Sequence, residues 1–574
     1  MKKLLLGLKP YKIGVAIILV LTLFRVLAEL YLPTIMADIV DNGIVQDNRT
    51  LMLQLGGLMI FVAALGTICA CISSYYSAKV GSSFAKDLRA KMFYKVESFG
   101  IEEANSVGIS SLINRTTNDI SQVQQVTMMI LRMVVLAPLM CIGGIVMAVS
   151  KNAKLSLIFV VAIPVLALII YLVIKKGIPL FKVMQSKLDN LNAVLRENLT
   201  GVRVIRSFNK EEFEQKRFRN ANEDLTNTAL RVNKIMAITM PIMMIVLNLS
   251  TVAIIWFGAI QVDQGNMQVG DIMAFVQYGM QIMFSLMMVS MIFVMMPRAS
   301  ASADRINEIL EISQVIMDKE TGSQTPRRGE IEFRNVSFSY PLAEKPVLKN
   351  LTFRMRPGMT TAIIGGTGSG KSTILHLIAR FYDVNNGEIL VDGMNIKEYA
   401  QGDLRSQMGY VPQKAVLFTG TIADNIRFGK EDATEKEILE ALEISQSKEF
   451  VDELDQGIYS EISQGGTNLS GGQKQRLSIA RALVRKPQIY LFDDSFSALD
   501  YRTDANLRKA LKSEITDANV VIVAQRVSTI KDADAIIVLD EGNIAGIGTH
   551  EHLLTSCSVY QEIVKSQGVV EETV

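Results

Sequence analysis

The sequence predicts a multi-domain fold: an all-α, six-helix transmembrane domain with long cytoplasmic stalks, followed by an α/β domain. Three observations carry that expectation. Apolar residues crowd into the first 300 positions, strand-like and helical runs alternate from about Pro326 onward, and a glycine-rich loop follows one of the strand-like runs. Of 574 residues, 49% are hydrophobic and 20% charged, against roughly 25% charged in a typical soluble chain. The balance of 59 Lys and Arg against 57 Asp and Glu argues against a nucleic-acid partner held by bulk charge. Cys69, Cys71, Cys141 and Cys557 have neither metal nor disulfide spacing, and the first three, in apolar runs, read as small buried hydrophobes.

Crossing a bilayer takes about 20 residues of helix. Six stretches are long enough: Ile13 to Leu32, Leu55 to Tyr75, Met128 to Val149, Leu155 to Ile174, Ile235 to Ile260, and Ile272 to Met296. The first lacks a small-residue cleavage site, so it reads as a span and not as a cleaved signal peptide. Lys2, Lys3, Lys9 and Lys12 precede it and place the N-terminus in the cytoplasm by the positive-inside rule. Asp38, Asp41 and Asp47 suit an outer loop, and the basic segments after spans two and four suit the inside; Lys151 and Lys154 run mildly against the scheme. The two inner segments are rich in helix formers with amphipathic spacing, as in Leu88, Met92, Val96 and Leu188, Leu191, Leu195. They are expected to prolong the spans as stalks by roughly 30 Å or more. Residues 1–300 thus read as a transmembrane domain, 301–328 as a linker and 329–574 as a separate α/β domain.

In that last part Ile331–Phe333, Thr361–Ile364, Gln488–Phe492, Val520–Val523 and Ala535–Leu539 read as strands. Gly365, Gly366, Thr367, Gly368, Ser369, Gly370, Lys371 and Ser372, followed by Thr373, fit the P-loop pattern directly after one of them. Its glycines let backbone N–H groups turn inward around phosphates at a helix N-terminus. Lys371 would reach the β- and γ-phosphates, and the Ser372 hydroxyl would ligate Mg²⁺. Ile489 to Asp494 is a buried strand ending in two acids, with Asp493 placed to hold Mg²⁺.

Leu469, Ser470, Gly471, Gly472 and Gln473 form the sequence LSGGQ. With it the whole chain resembles an ATP-binding cassette (ABC) transporter half of the exporter type: six spans, stalks, linker and one ABC ATPase domain. The resemblance implies that Tyr340 stacks on adenine and that Gln413, in Val411-Pro412-Gln413, senses Mg²⁺ and the γ-phosphate. Ser497 to Asp500 matches the D-loop, and segments near Gly100 to Gly108 and Phe208 to Arg217 match the stalk tips that couple ATP to the spans. It further implies ATP and Mg²⁺ as cofactors and two cassettes closing head to tail, so that each ATP lies between one P-loop and the opposite LSGGQ. One chain must therefore pair with a second ABC half-transporter.

Two residues depart from the family pattern. Asp494 stands where a Glu normally polarises the attacking water, and Gln525 stands at the position of the switch histidine. Gln464 also replaces a frequent Glu. None of the three histidines, His376, His550 and His552, matches the switch motif. Both departures serve the same γ-phosphate, which implies a weak site on this chain's own P-loop and, as partner, a different chain whose competent site this LSGGQ completes.

Cargo is expected to be hydrophobic or amphipathic, in a multidrug-like exporter of a bacterial cytoplasmic membrane. A lipid flippase and an ATP-switched regulatory subunit that does not pump share the same motifs. Residues 235–296 hold 13 of the 29 methionines, which suits either a promiscuous apolar surface or ordinary helix packing. Arg25 and Glu29, one turn apart in the first span, read as a structural pair or as part of a cargo cavity, and Gln277 and Gln281 as interhelical bonds or cavity lining.

Overall fold

A computed structural model describes residues 3, 6–313, 316, 328–341 and 343–568. The chain forms two compact units, one of Met1–Ser98 with Val107–Ile312 and the other of Phe99–Ser106 with Ser313–Val574.

The first unit is helical. Its long elements are α1 (Lys12–Asp38), α2 (Arg49–Glu97), α3 (Ile109–Lys151), α4 (Leu157–Thr200), α5 (Glu211–Asp263) and α6 (Val269–Glu311). Among the described residues, six helices are long and apolar enough to cross a membrane. They outrun the apolar stretches because the flanking polar sequence keeps helix propensity: α5 alone has 53 residues, about 80 Å at 1.5 Å per residue.

One buried apolar cluster draws on α1, α3, α4, α5 and α6. Phe159 stacks on Phe275 at 6.1 Å, and the buried Tyr278 hydroxyl lies 2.8 Å from Thr34 Oγ1 and donates to the Leu30 carbonyl at 3.2 Å. Two π-helical turns interrupt α3, at Arg115–Asp119 and Ile130–Val134. Asp119, buried in the first, accepts from Ser302 Oγ and Arg305 Nε, each at 2.8 Å.

Four sequence expectations need amending. Helix α6 continues to Glu311, eleven residues into the expected linker, because Ala299, Ala303, Ile306 and Ile309 keep an apolar stripe buried; most of the remainder, 317–327, lies outside the described residues. The short helix between α4 and α5 is Val202–Ser207, earlier than the expected Phe208 to Arg217. Gly201 and Asn209 (φ 49°) set its ends, and Glu211 already starts α5. Leu88 and Met92 are buried, but Leu188 and Leu195 remain exposed on α4. Cys71 is exposed too; Cys69 and Cys557 are buried and Cys141 is intermediate. Cys69 and Cys71 are two residues apart, which on a helix turns their side chains in nearly opposite directions.

The second unit is α/β. Its strands are β1 (Ile331–Phe338), β2 (Leu348–Met355), β3 (Thr360–Gly365), β4 (Asn386–Val391), β5 (Met394–Asn395), β6 (Met408–Val411), β7 (Gly420–Thr421), β8 (Glu461–Ile462), β9 (Ile489–Asp493), β10 (Asn519–Val523), β11 (Ala535–Asp540) and β12 (Asn543–Gly548). Strands β2-β1-β4-β5 make an antiparallel sheet, and β12-β11-β3-β10-β9-β6 make a second sheet that is parallel except at β12. Both faces of the parallel sheet are covered: Ala362 and Ile364 of β3 join one core and Ile363 the other. Strand alternation turns neighbouring residues to opposite faces, which is why these strands read as continuous apolar runs.

Candidate functional site

In an open parallel sheet, ligand-binding loops lie beyond the carboxyl ends of the strands. Here four adjacent strands end together. β3 leads into the glycine loop, β10 stops two residues before Gln525, β9 ends at Asp493, and β6 stops two residues before Gln413. Register aligns these ends, with Val523 opposite both Ile363 and Asp493, and Val411 opposite Phe492.

The loop after β3 turns into α7 (Lys371–Ile378) through Gly368 (φ 83°) and Gly370 (φ 96°). A Cβ at Gly370 would also lie 2.5 Å from Leu348 Cδ2, so only glycine fits there. Lys371 Nζ donates to the carbonyls of Gly365 and Gly366 at 2.9 and 2.7 Å. Burial pulls its pKa below the ordinary lysine value, while Asp494 and Asp493 oppose that shift. Ser369 is buried and its Oγ has no partner among the described residues. An unsatisfied hydroxyl in a glycine-rich loop just before a helix N-terminus fits a phosphate oxygen.

Ser372 Oγ donates to Asp493 Oδ1 at 2.6 Å, across 121 residues of sequence. A serine hydroxyl against a buried carboxylate is a hard oxygen pair, and Tyr410 OH stands 3.5 Å from the other oxygen of Asp493. That donor set fits Mg²⁺, which favours oxygen ligands and keeps several waters.

Next to it lies Asp494, buried and in a left-handed conformation (φ 47°). Its Oδ2 accepts from Gln525 Nε2 at 2.7 Å and from Gln413 Nε2 at 3.2 Å. Burial raises its pKa most; the Gln413 and Gln525 amides and Lys371 pull it down, and Asp493 pushes it up. Asp494 and Gln525, 31 positions apart, are therefore bonded to each other. Tyr340 OH lies 3.0 Å from Thr373 Oγ1, and the Tyr340 ring stands edge-on to Phe338 and Tyr382.

Leu469 to Gln473 lies apart: among the described residues no hydrogen bond joins it to the glycine loop. Ser470 caps α8 (Gly471–Leu483), its Oγ accepting from Gln473 N at 3.3 Å while Gln473 Oε1 accepts from Ser470 N at 2.8 Å. Ser470 and Gly471 are exposed, leaving this helix end open to another molecule.

Two side chains that no spacing rule singled out support the site. Gln475, buried on α8, donates to the Pro412 carbonyl at 3.2 Å and ties α8 to the turn holding Gln413. Gln567 follows the last helix, α9 (Ser558–Ser566). Its Nε2 donates to the Gln525 carbonyl at 2.7 Å and its Oε1 accepts from Val527 N at 2.8 Å. Contacts spanning 42 and 63 residues have no local sequence signal.

In the first unit, Arg25 Nε donates to Glu29 Oε1 at 2.8 Å, and both line a cavity of about 640 Å³. Gln277 and Gln281 do not line it; Gln281 Nε2 donates to the Glu29 carbonyl at 3.0 Å.

Residues 15–287 match the family ABC transporter transmembrane region, and residues 348–497 match the family ABC transporter. An uncharacterized ABC transporter ATP-binding protein of Mycobacterium tuberculosis is 42% identical, covering 98% of this chain and 97% of its own. An ATP-dependent lipid A-core flippase of Mannheimia succiniciproducens is 30% identical over 99% of this chain and 97% of its own. The structure of a bacterial Atm1-family ABC exporter with ATP bound shares the fold, with a TM-score of 0.82, 24% identity and 99% of each chain covered.

Proposed function

This chain belongs to the ABC transporter family, as an exporter half whose ATPase domain couples ATP hydrolysis to transport, and on that premise we propose that its own ATP site hydrolyses poorly and that it works paired with a different chain. The observation that carries this reading is the bond between Gln525 and Asp494. A carboxylate oxygen that accepts two amide bonds is a weaker base than a free one. A neutral amide, unlike an imidazolium, adds no positive charge where negative charge grows at the γ-phosphate.

In this reading Gly365, Gly366, Thr367, Gly368, Ser369 and Gly370 wrap the phosphates with backbone amides, and Lys371 leaves the loop carbonyls for the β- and γ-phosphates. Tyr340 packs against adenine, beside Thr373. Ser372, Asp493 and Gln413 hold Mg²⁺, which neutralises charge between the β- and γ-phosphates when bound. Asp494 orients the attacking water. Ser470 with Gly471 and Gly472 binds the γ-phosphate of the partner's ATP, flanked by Leu469 and Gln473. Residues 1–300 form the transport domain and 329–574 the ATPase domain, with the N-terminus and ATPase domain in the cytoplasm of a bacterial cell. The cargo is hydrophobic or amphipathic, as for a multidrug exporter. A lipid flippase is the second reading, favoured by the relative of that description.

Ser470→Arg separates the two sites. In the assembly with the partner, turnover should collapse while ATP binding to this chain's own P-loop is kept. Ordinary exporter turnover by this chain purified alone would overturn the pairing. ATP occupancy without vectorial movement in inverted vesicles would favour a switch over a pump.

A further inference from the structure

The cavity lined by Arg25 and Glu29 holds one more charge. α1, α2 and α3, with Met288 of α6, form its wall, and α3 contributes Arg132 from the π-turn Ile130–Val134. Arg25 and Glu29 satisfy each other, whereas Arg132 has neither ion pair nor hydrogen bond among the described residues. The cavity therefore carries one unmatched positive charge. Arg132 is exposed toward this cavity and not buried among apolar side chains, and a charged residue within a spanning segment that faces a cavity marks a ligand path. The π-turn agrees with this, since single π-turns inside helices concentrate at functional sites. Thr22, Thr67, Ser73 and Ser74 add hydroxyls to the same wall.

A second cavity of about 520 Å³ adjoins the first, and the two share Ala28 and Val62. Its remaining lining includes Phe24, Leu27, Tyr31, Leu65 and Val146, with no charged residue. A cationic polar chamber thus opens beside an apolar groove. We propose that the joined cavities bind an amphipathic anion, with a phosphate or carboxylate head on Arg132 and a hydrocarbon part along Phe24, Leu27 and Leu65. This names the cargo class of the exporter reading and rests on that reading.

Cys71 lines the charged cavity and is exposed, so it reports on occupancy directly. The test uses the full-length assembly in phosphatidylcholine nanodiscs without nucleotide, with dodecyl phosphate and dodecyltrimethylammonium as probes of equal chain length. Dodecyl phosphate should bind and slow labelling of Cys71 by N-ethylmaleimide, and dodecyltrimethylammonium should do neither. Arg132→Gln should weaken dodecyl phosphate binding at least tenfold, Arg132→Lys should keep most of it, and Arg132→Glu should reverse the preference toward the cation. That gain of binding cannot come from a misfolded variant. Nanodiscs of phosphatidylglycerol should compete with dodecyl phosphate if the bilayer's own anionic lipid is the ligand, and should not if the ligand is a soluble amphipath. Equal binding of both probes, binding of neither, or an Arg132→Gln variant indistinguishable from wild type would overturn the proposal. Head-group-selective binding with no ATP-driven movement into inverted vesicles would instead sink the exporter reading and leave the site standing.

Discussion

Asp494→Glu should raise ATP turnover by this chain purified without another subunit. The added methylene advances the carboxylate by about 1.5 Å, one carbon–carbon bond. A misplacement of about 1 Å at a reacting centre costs on the order of 100-fold. Asp494 Oδ2 is now bound by Gln525 at 2.7 Å and Gln413 at 3.2 Å. Moving outward, the carboxylate sheds at least one of these amides and becomes a stronger base. Repositioning and reorganisation oppose each other, so the expected gain is about 10- to 100-fold in kcat, or about 1.4–2.7 kcal/mol of barrier. KM for ATP should change little, because Lys371 and the loop amides are untouched. Steady-state phosphate release in nanodiscs measures both constants. Adding Gln525→His should raise kcat further by bringing a side chain that can carry positive charge. A wild-type chain already as fast as the Glu variant, or a variant slower than wild type, would refute the reasoning.

Three further outcomes follow from the same geometry. Burial raises the Asp494 pKa and the Gln525 amide pulls it down, so Gln525→Leu should move the acid limb of the kcat profile to higher pH; an unmoved limb would mean Asp494 does not titrate in turnover. The stability linkage has the opposite sense: a raised folded pKa makes this group's contribution present in acid and lost as pH rises from the ordinary value of 3.8 through the folded one. Arg305→Ala leaves the buried Asp119 with Ser302 alone and should cost roughly 3 kcal/mol, the low end for a broken buried pair because Arg305 is partly exposed. A thermal melt in detergent reads this as a lower Tm, and Arg305→Lys should recover only part because it lacks the two-pronged contact. Gln567→Ala frees both the Gln525 carbonyl and the Val527 amide, and should lower kcat with KM unchanged. An unaltered kcat would leave Gln567 a packing residue only.

Much of this protein is legible without coordinates because its strongest signals are local. A bilayer demands about 20 apolar residues in a row, and a phosphate loop demands glycines at fixed spacing before a lysine. Both demands act within a few helical turns, so the six spans and the P-loop were readable directly. Strands β3, β9, β10 and β11 were readable too, because a strand covered on both faces is apolar throughout, whereas the four-residue β6 was not. Their lateral order was not. Nothing local to β3, β6, β9 or β10 says that they are neighbours, yet that order brings Gln413, Asp494 and Gln525 within hydrogen-bonding distance.

The sequence by itself determined where the local signals lie: six apolar spans, a glycine-rich loop after a strand, an apolar run ending in Asp493 and Asp494, and the LSGGQ sequence. Only the tertiary structure decided that Asp494 and Gln525 bond to each other, that Gln567 holds the Gln525 carbonyl and the Val527 amide, and that Arg132 joins Arg25 and Glu29 in one cavity. The reason is distance along the chain. Residues one turn apart, such as Arg25 and Glu29, meet by helix geometry alone. Residues separated by 31 or more positions, or on different spans, meet only where packed strands and helices bring them together.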